Sequence, residues 1–277
     1  MSDIRRSRED KQSAPIVSVL PIRQEGNADK ERCARQTAAF FGATYLERRG
    51  RSVEELFAKT SANVVVLAGD EPSLIHRQAP EMALRYHPGM SLLRLREHQR
   101  GRQDRLLRAI GVRPGDVVLD ATCGLLGDAL LLAAGVGQSG RVIAVESTFL
   151  VARLMQYAVR WTRSIPPDVA EHLAGIEVLW GDSGRILSKL GDASVDAVYF
   201  DPMFHHPLER SAAMEPLRIF ANHQVLTRDV FADACRVARR TVVIKCRLGD
   251  KLLSDLPVLP DKTNASFAFA VWQRGRP

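Results

Sequence analysis

The sequence predicts an α/β protein: a doubly wound parallel sheet preceded by a small N-terminal α/β unit. Three observations lead there. From Asp116 onward, short β-rich runs alternate with helical runs, an order that requires right-handed crossovers between parallel strands. Two of the apolar runs end in an acid followed by a turn, VVLDATCG and VDAVYFDP, as strands that deliver ligand-binding groups to one sheet edge do. The chain, at 277 residues, has room for one large domain plus a small one.

Residues 1–14 carry many charges and no periodic apolar pattern, so a disordered tail is expected. Ile16–Ile22 reads as a strand ending at a proline-bearing turn. Asp29–Phe41 places Cys33, Thr37, Phe40 and Phe41 at helical spacing, and Gly42 stops it. The three consecutive valines in Asn63–Ala68 read as a buried strand, and this unit extends over 15–85. Proline and glycine in Tyr86–Met90 mark a turn. The second domain, 86–277, begins with one arginine-rich helix from Leu92 to Ile110, closed by Gly111–Gly115. Strands follow at Asp116–Asp120, Arg141–Glu146, Ile176–Trp180, Val195–Phe200 and Thr241–Cys246, with a last one inside Ser266–Gln273. Helices are expected near Asp128–Val136, Phe149–Trp161, Ser183–Leu190 and Arg228–Ala238.

Composition excludes several classes. No apolar run approaches the about 20 residues a membrane span needs, and the charged start MSDIRRSREDKQSAP lacks the apolar core of a secretory signal. The four cysteines share no C-x-x-C spacing, which argues against a zinc site or a disulfide framework and fits a reducing cytoplasm. The histidine pair His205-His206 has no other ligand types at metal spacing, so no metal is expected. A net charge of +7 and a pI near 9.5 point to an anionic partner, RNA foremost.

The chemistry concentrates at strand ends. Residues 117–128 form a strand that ends in Asp120 and turns through Ala121, Thr122 and Gly124 into a helix at Asp128. Gly124 lets the backbone approach a ligand, and the helix start offers free N–H groups. The pattern is not G-x-G-x-x-G, so a nucleoside fits better than a dinucleotide. Glu146 ends the next strand and can accept both hydroxyls of a ribose. Asp182 and Ser183 follow the third; Asp182 can accept from an adenine amino group, and either residue can cap the next helix. Asp201-Pro202-Met203-Phe204 follows the fourth. A carboxylate, a proline-fixed carbonyl and a flat ring around one point suit a planar exocyclic amine. Acceptors on its N–H groups steer the lone pair toward a methyl donor, and Phe204 can stack on the base. His205 and Lys245 border the same cleft. Arg100 and Arg102 belong to a basic stretch with Arg94, Arg96, Arg105 and Arg108, which reads either as a phosphate contact or as a solvated helix face.

Together, Asp120-Ala121-Thr122-x-Gly124 with Asp128, Glu146, Asp201-Pro202-Met203-Phe204 and Val243-Ile244-Lys245 resemble the class I S-adenosylmethionine-dependent methyltransferases. The order DAT-x-G, DPMF, VVIK is most similar to the bacterial 16S ribosomal RNA guanine-N2 methyltransferase (RsmJ-like) family, over about residues 85–277. The resemblance implies a Rossmann-like fold with an antiparallel last strand. It implies S-adenosylmethionine as cofactor, held by Asp120, Gly124 and Glu146 with Asp182 at its adenine, and a target base held by Asp201–Phe204. Where that family commonly has Gly-Leu-Gly, Leu126 fills the second glycine position and Gly127 follows it. Either the leucine crowds the cofactor or the loop shifts by one residue. A small-amine methyltransferase, a non-catalytic nucleoside- or RNA-binding protein and an NAD-binding module are the alternatives.

Overall fold

The computed structural model describes residues 16–202, 215–220, 222, 226–247, 253, 256–261, 265 and 267–275. The chain forms two compact units, one running to Arg85 and the other starting at Tyr86.

In the first unit, β1 (Ile16–Val19), β2 (Thr44–Tyr45), β3 (Val64–Ala68), β4 (Pro72–His76) and β5 (Ala79–Leu84) form one sheet in the order β2-β1-β3-β4-β5. β1 pairs parallel with β2 and β3, and β3, β4 and β5 pair antiparallel. Helix α1 (Ala28–Phe41) starts at the Asn27 cap and ends at Gly42, whose φ of 65° closes its last turn. Helix α2 (Val53–Lys59) carries a full capping box between Ser52 and Glu55. Side-chain alternation splits the packing: Val17, Val19, Val65 and Ile75 meet Leu56 and Phe57 of α2, while Leu20 and Ala68 meet Ala34 of α1.

The second unit opens with α3 (Met90–Gln99) and α4 (Arg105–Ile110). The single helix expected over Leu92–Ile110 is thus two. Gly101 at φ 85° breaks it, and Asp104 caps the second piece by accepting the Leu106 N–H at 2.9 Å. Then come β6 (Val117–Asp120), α5 (Gly127–Val136), β7 (Arg141–Glu146), α6 (Phe149–Trp161), α7 (Pro167–Leu173), β8 (Ile176–Trp180), α8 (Ser183–Leu187), β9 (Val195–Phe200), α9 (Glu215–Phe220), α10 (Arg228–Val237), β10 (Ala238–Cys246), β11 (Leu259–Pro260) and β12 (Ala268–Gln273). Their sheet runs β11-β12-β10-β9-β6-β7-β8. β10, β9, β6, β7 and β8 are parallel, and β12 lies antiparallel to β10, as the fold class requires.

One face of this sheet is apolar. Leu119, Val198, Phe200, Val242 and Ile244 pack with Leu187 of α8 and with Phe231 and Ala234 of α10. Residues of opposite parity face the other way, so Asp120, Tyr199 and Lys245 share the second face: Asp120 is in register with Tyr199, and Tyr199 with Val243, two residues before Lys245. The order also reverses at β6. The chain winds outward through β7 and β8 and then returns to β9 on the other side of β6, so the strand-end crevice opens between the tips of β6 and β9.

Candidate active site

Two tips meet at this reversal. The Ala121 N–H donates to the Tyr199 carbonyl at 2.8 Å, and the Asp201 N–H donates to Thr122 Oγ1 at 2.6 Å. Asp201 is therefore fastened to the turn that follows β6. That turn then crosses toward β7, with the Cys123 N–H donating to the Val145 carbonyl at 3.0 Å. Gly124 has φ 50°, and a Cβ there would stand 3.7 Å from Leu217 of α9. Leu126 also adopts the left-handed conformation, at φ 61°. Its side chain is fully buried, so it packs inward and does not line the crevice. The loop keeps the backbone shape that glycine would adopt without strain, at a cost of about 1–2 kcal/mol.

On the second sheet face lies an ionic network. Asp128, at the start of α5, accepts from Arg94 of α3 through Oδ1. Through Oδ2 it accepts from the Tyr199 hydroxyl at 2.7 Å and from Lys245 Nζ at 3.4 Å. Arg94 also makes two 2.9 Å bonds to Asp104. Lys245 reaches Asp201 Oδ2 at 2.7 Å. Burial pushes the Asp128 carboxyl up, but Lys245 and Arg94 outweigh it and hold it below the usual range. Burial likewise works against the Lys245 ammonium, and the Asp201 and Asp128 charges more than offset it. Asp201 is different. Burial and Asp128 prevail over Lys245, and its carboxyl is pushed up to about 6. Asp120 is buried outright, which holds it well above the ordinary carboxylate range although the Thr122 N–H donates to it.

The neighbouring tips carry a second set of groups. Glu146 accepts the Thr148 N–H at 2.7 Å. Burial raises its carboxyl, while the Thr148 and Gly124 N–H groups act to lower it, so the glycine turn and the β7 tip face one another. Trp180, in register with Glu146, is 43% exposed. Its ring stands edge-on to Phe149 at 4.9 Å, and its Nε1 donates to the Ser147 carbonyl. Asp182 caps α8, accepting the Arg185 N–H at 2.8 Å, and Ser183 is the first helical residue. Over these tips lies α9, whose Phe220 carbonyl accepts the Thr148 hydroxyl at 2.9 Å. An aromatic wall, a carboxylate at a strand end and a glycine turn suit a nucleoside moiety.

The crevice thus brings together Asp120, Ala121, Thr122, Gly124, Asp128, Asp201, Pro202 and Lys245, with Glu146, Asp182 and Ser183 one and two strands away. Asp128 and Lys245, expected to touch ligands, also bond protein partners. Arg100 and Arg102 do not join the crevice network: they are 71% and 78% exposed and pair with Glu97. Arg94 and Arg105 turn inward, Arg105 onto Phe267, Phe269 and Asp261. Met203, Phe204 and His205 lie outside the described residues. Sequence reading missed Trp180 and Tyr199, and it read Arg94 as a phosphate contact or a solvated helix face, not as the partner of Asp128 and Asp104. A tryptophan ending a strand before Gly-Asp is a usable signal for the first, and strand parity for the second; Arg94 finds Asp128 only through tertiary packing. Among the described residues, no group of three or more histidine, cysteine or acidic side chains could hold a metal ion, and no helix is long and apolar enough to cross a membrane.

Comparison with known proteins bears on this geometry. Residues 56–269 match the family model SAM_MT, described as "Putative SAM-dependent methyltransferase". The uncharacterized protein YpiP of Bacillus subtilis is 33% identical over 213 residues, 76% of this chain and 82% of that protein. A protein of Alteromonas mediterranea named ribosomal RNA small subunit methyltransferase J is 31% identical over 157 residues, 54% of this chain and 58% of that one. Its namesake in Halorhodospira halophila is 28% identical over 218 residues, 73% and 78% of the two chains. Among solved structures, a SAM-dependent methyltransferase from Neisseria gonorrhoeae superimposes with a TM-score of 0.58 at 18% identity, over 94% of this chain and 97% of that one.

Proposed function

This chain belongs to the SAM-dependent methyltransferase family, and we propose that it methylates the exocyclic amine of a base in ribosomal RNA, with guanine N2 as the position. S-adenosylmethionine is the cofactor; when bound, it supplies an electrophilic methyl group on a sulfonium that leaves as a neutral thioether. The residues present fit such a group. Glu146 would accept the ribose hydroxyls, Trp180 would wall the adenine, Asp182 would accept from its amino group, and the turn from Asp120 to Gly124 would admit the remainder.

The observation that carries the reading is the hydrogen bond from the Asp201 N–H to Thr122 Oγ1. It fixes the amine-orienting tip beside the glycine turn, so the two reactants would meet across one crevice. Asp201 and the Pro202 carbonyl would take the amine N–H groups and direct its lone pair outward. Catalysis is then positioning and exclusion of water. Phe204 would stack on the target base, and Met203 and His205 would flank it. Arg100 and Arg102 would contact phosphate. The relatives named for small-subunit ribosomal RNA support the substrate class, as does the positive charge. Purified protein, labelled S-adenosylmethionine and small ribosomal subunits from a strain lacking the gene provide the test. Transfer should appear in guanosine and should vanish in Asp201→Ala, while calorimetry shows S-adenosylhomocysteine affinity within about twofold of the parent. Loss of cofactor binding in that variant contradicts the assigned role.

A further inference from the structure

Asp201 offers both oxygens as acceptors only when it is ionised, it orients an amine only when it is held still, and burial works against the first condition. What supplies both is on the opposite side of the carboxyl group. Lys245 Nζ lies 2.7 Å from Asp201 Oδ2 and 3.4 Å from Asp128 Oδ2. Asp128 is in turn fixed by Arg94 and by the Tyr199 hydroxyl, and Arg94 by Asp104. The Phe267 ring closes off the ammonium at 5.2 Å. Among the described residues, no donor reaches Asp201 Oδ1. The Asp201 side chain is 30% exposed and that of Lys245 22%, so neither is sealed from solvent.

We propose that Lys245 is a positioning residue: anchored on Asp128, it pins one oxygen of Asp201 and keeps that carboxylate charged, leaving the other oxygen as the acceptor for the substrate amine. This deepens the methylation reading above and rests on it for the identity of the amine. It reassigns Lys245 from a contact with phosphate or base to a partner of Asp201. Among the described residues, the charged and titratable groups that face Asp201 are Lys245 from β10, Asp128 from α5, Arg94 from α3, Tyr199 from β9 and Asp120 from β6. Lys245 is the nearest cation among the described residues, and its charge lowers the Asp201 carboxyl toward ionisation. Without it, Asp128 and Asp120 would favour the protonated form, which has one acceptor fewer and adds a donor.

The test has two arms. Carboxyl-labelled aspartate, with the Asp201 signal assigned through Asp201→Asn, is titrated by carbon NMR in substrate-free parent and Lys245→Met protein. The Asp201 inflection should rise by about one pH unit or more, a tenfold change in its ionisation. The pH profile of kcat on small-subunit ribosomal RNA should show the acid limb displaced upward by the same amount, with KM little changed and activity recovering at alkaline pH. Lys245→Arg should return both curves toward the parent, which also guards against a folding defect in the methionine variant. An unmoved Asp201 inflection overturns the proposal, as does a pH-independent loss carried by KM, the signature of a phosphate contact. If the parent transfers no methyl group to ribosomal RNA at any pH while the NMR inflection still moves, the substrate reading fails and the Lys245–Asp201 coupling stands.

Discussion

Asp128→Asn removes one charge from the centre of the network and keeps the side chain's shape. In the parent, Asp128 is nearly buried, bonds Arg94 and Lys245, and accepts the Tyr199 hydroxyl. Breaking a buried ion pair costs about 3–5 kcal/mol when the survivor has no other partner. Here both cations keep one, since Arg94 retains its paired bonds to Asp104 and Lys245 retains Asp201. What is lost is the charged character of two bonds, one of them long, and part of the acceptor for Tyr199. That places the destabilisation at about 2–3 kcal/mol, a drop in Tm of roughly 4–12 °C for a unit of this size. Scanning calorimetry of parent and variant across pH measures it. The folded carboxyl lies below its unfolded value of about 3.9, so its contribution is present above that value and fades as pH falls through the folded one. The gap should be full at neutral pH and close in acid. A variant that melts within about 1 °C of the parent at neutral pH, or a gap that persists unchanged into acid, refutes the reasoning.

Glu146→Ala should weaken S-adenosylhomocysteine binding by about tenfold or more in calorimetry, roughly 1.4 kcal/mol, with little change in the ligand-free melting point. Leu126→Gly should relieve about 1–2 kcal/mol of left-handed strain but forfeit a fully buried leucine worth about 2–5 kcal/mol. Denaturant unfolding should therefore show a net loss of about 1–3 kcal/mol, and cofactor affinity should not improve, because the side chain points inward. Replacing both Arg100 and Arg102 by alanine should reduce the salt slope of ribosomal RNA binding by about two and leave melting nearly unchanged, since exposed pairs with Glu97 contribute little.

Most of the larger unit was legible because its strands are apolar and carry sharp ends. Arg141–Glu146, Ile176–Trp180 and Val195–Phe200 fall on the observed β7, β8 and β9. The hairpin of β4 and β5 was not: PSLIH opens on proline and APEMAL mixes proline and glutamate, residues that disfavour strands. Pro80 is accommodated because β5 is the edge of its sheet. Helix α2 was overlooked although Ser52 and Glu55 spell its cap. The split at Gly101 was hidden by a run of arginines that looks helical throughout. At the site, residue types at strand ends located the crevice, since the sheet's parallel order dictates where tips meet. Which of those residues would be free and which spent on one another was not written locally. Arg94 and Asp128 are 34 positions apart, and Asp128 and Lys245 are 117. Such pairings exist only once α3, α5 and β10 have packed.

Nucleoside mass spectrometry of small-subunit ribosomal RNA from cells with the gene, without it, and with the gene carrying Asp201→Ala bears most directly on the meeting of β6 and β9 as a methyl-transfer centre. One N2-methylated guanosine should be present in the first sample and missing from the other two. Identical methylation in all three would mean that this crevice acts on something else.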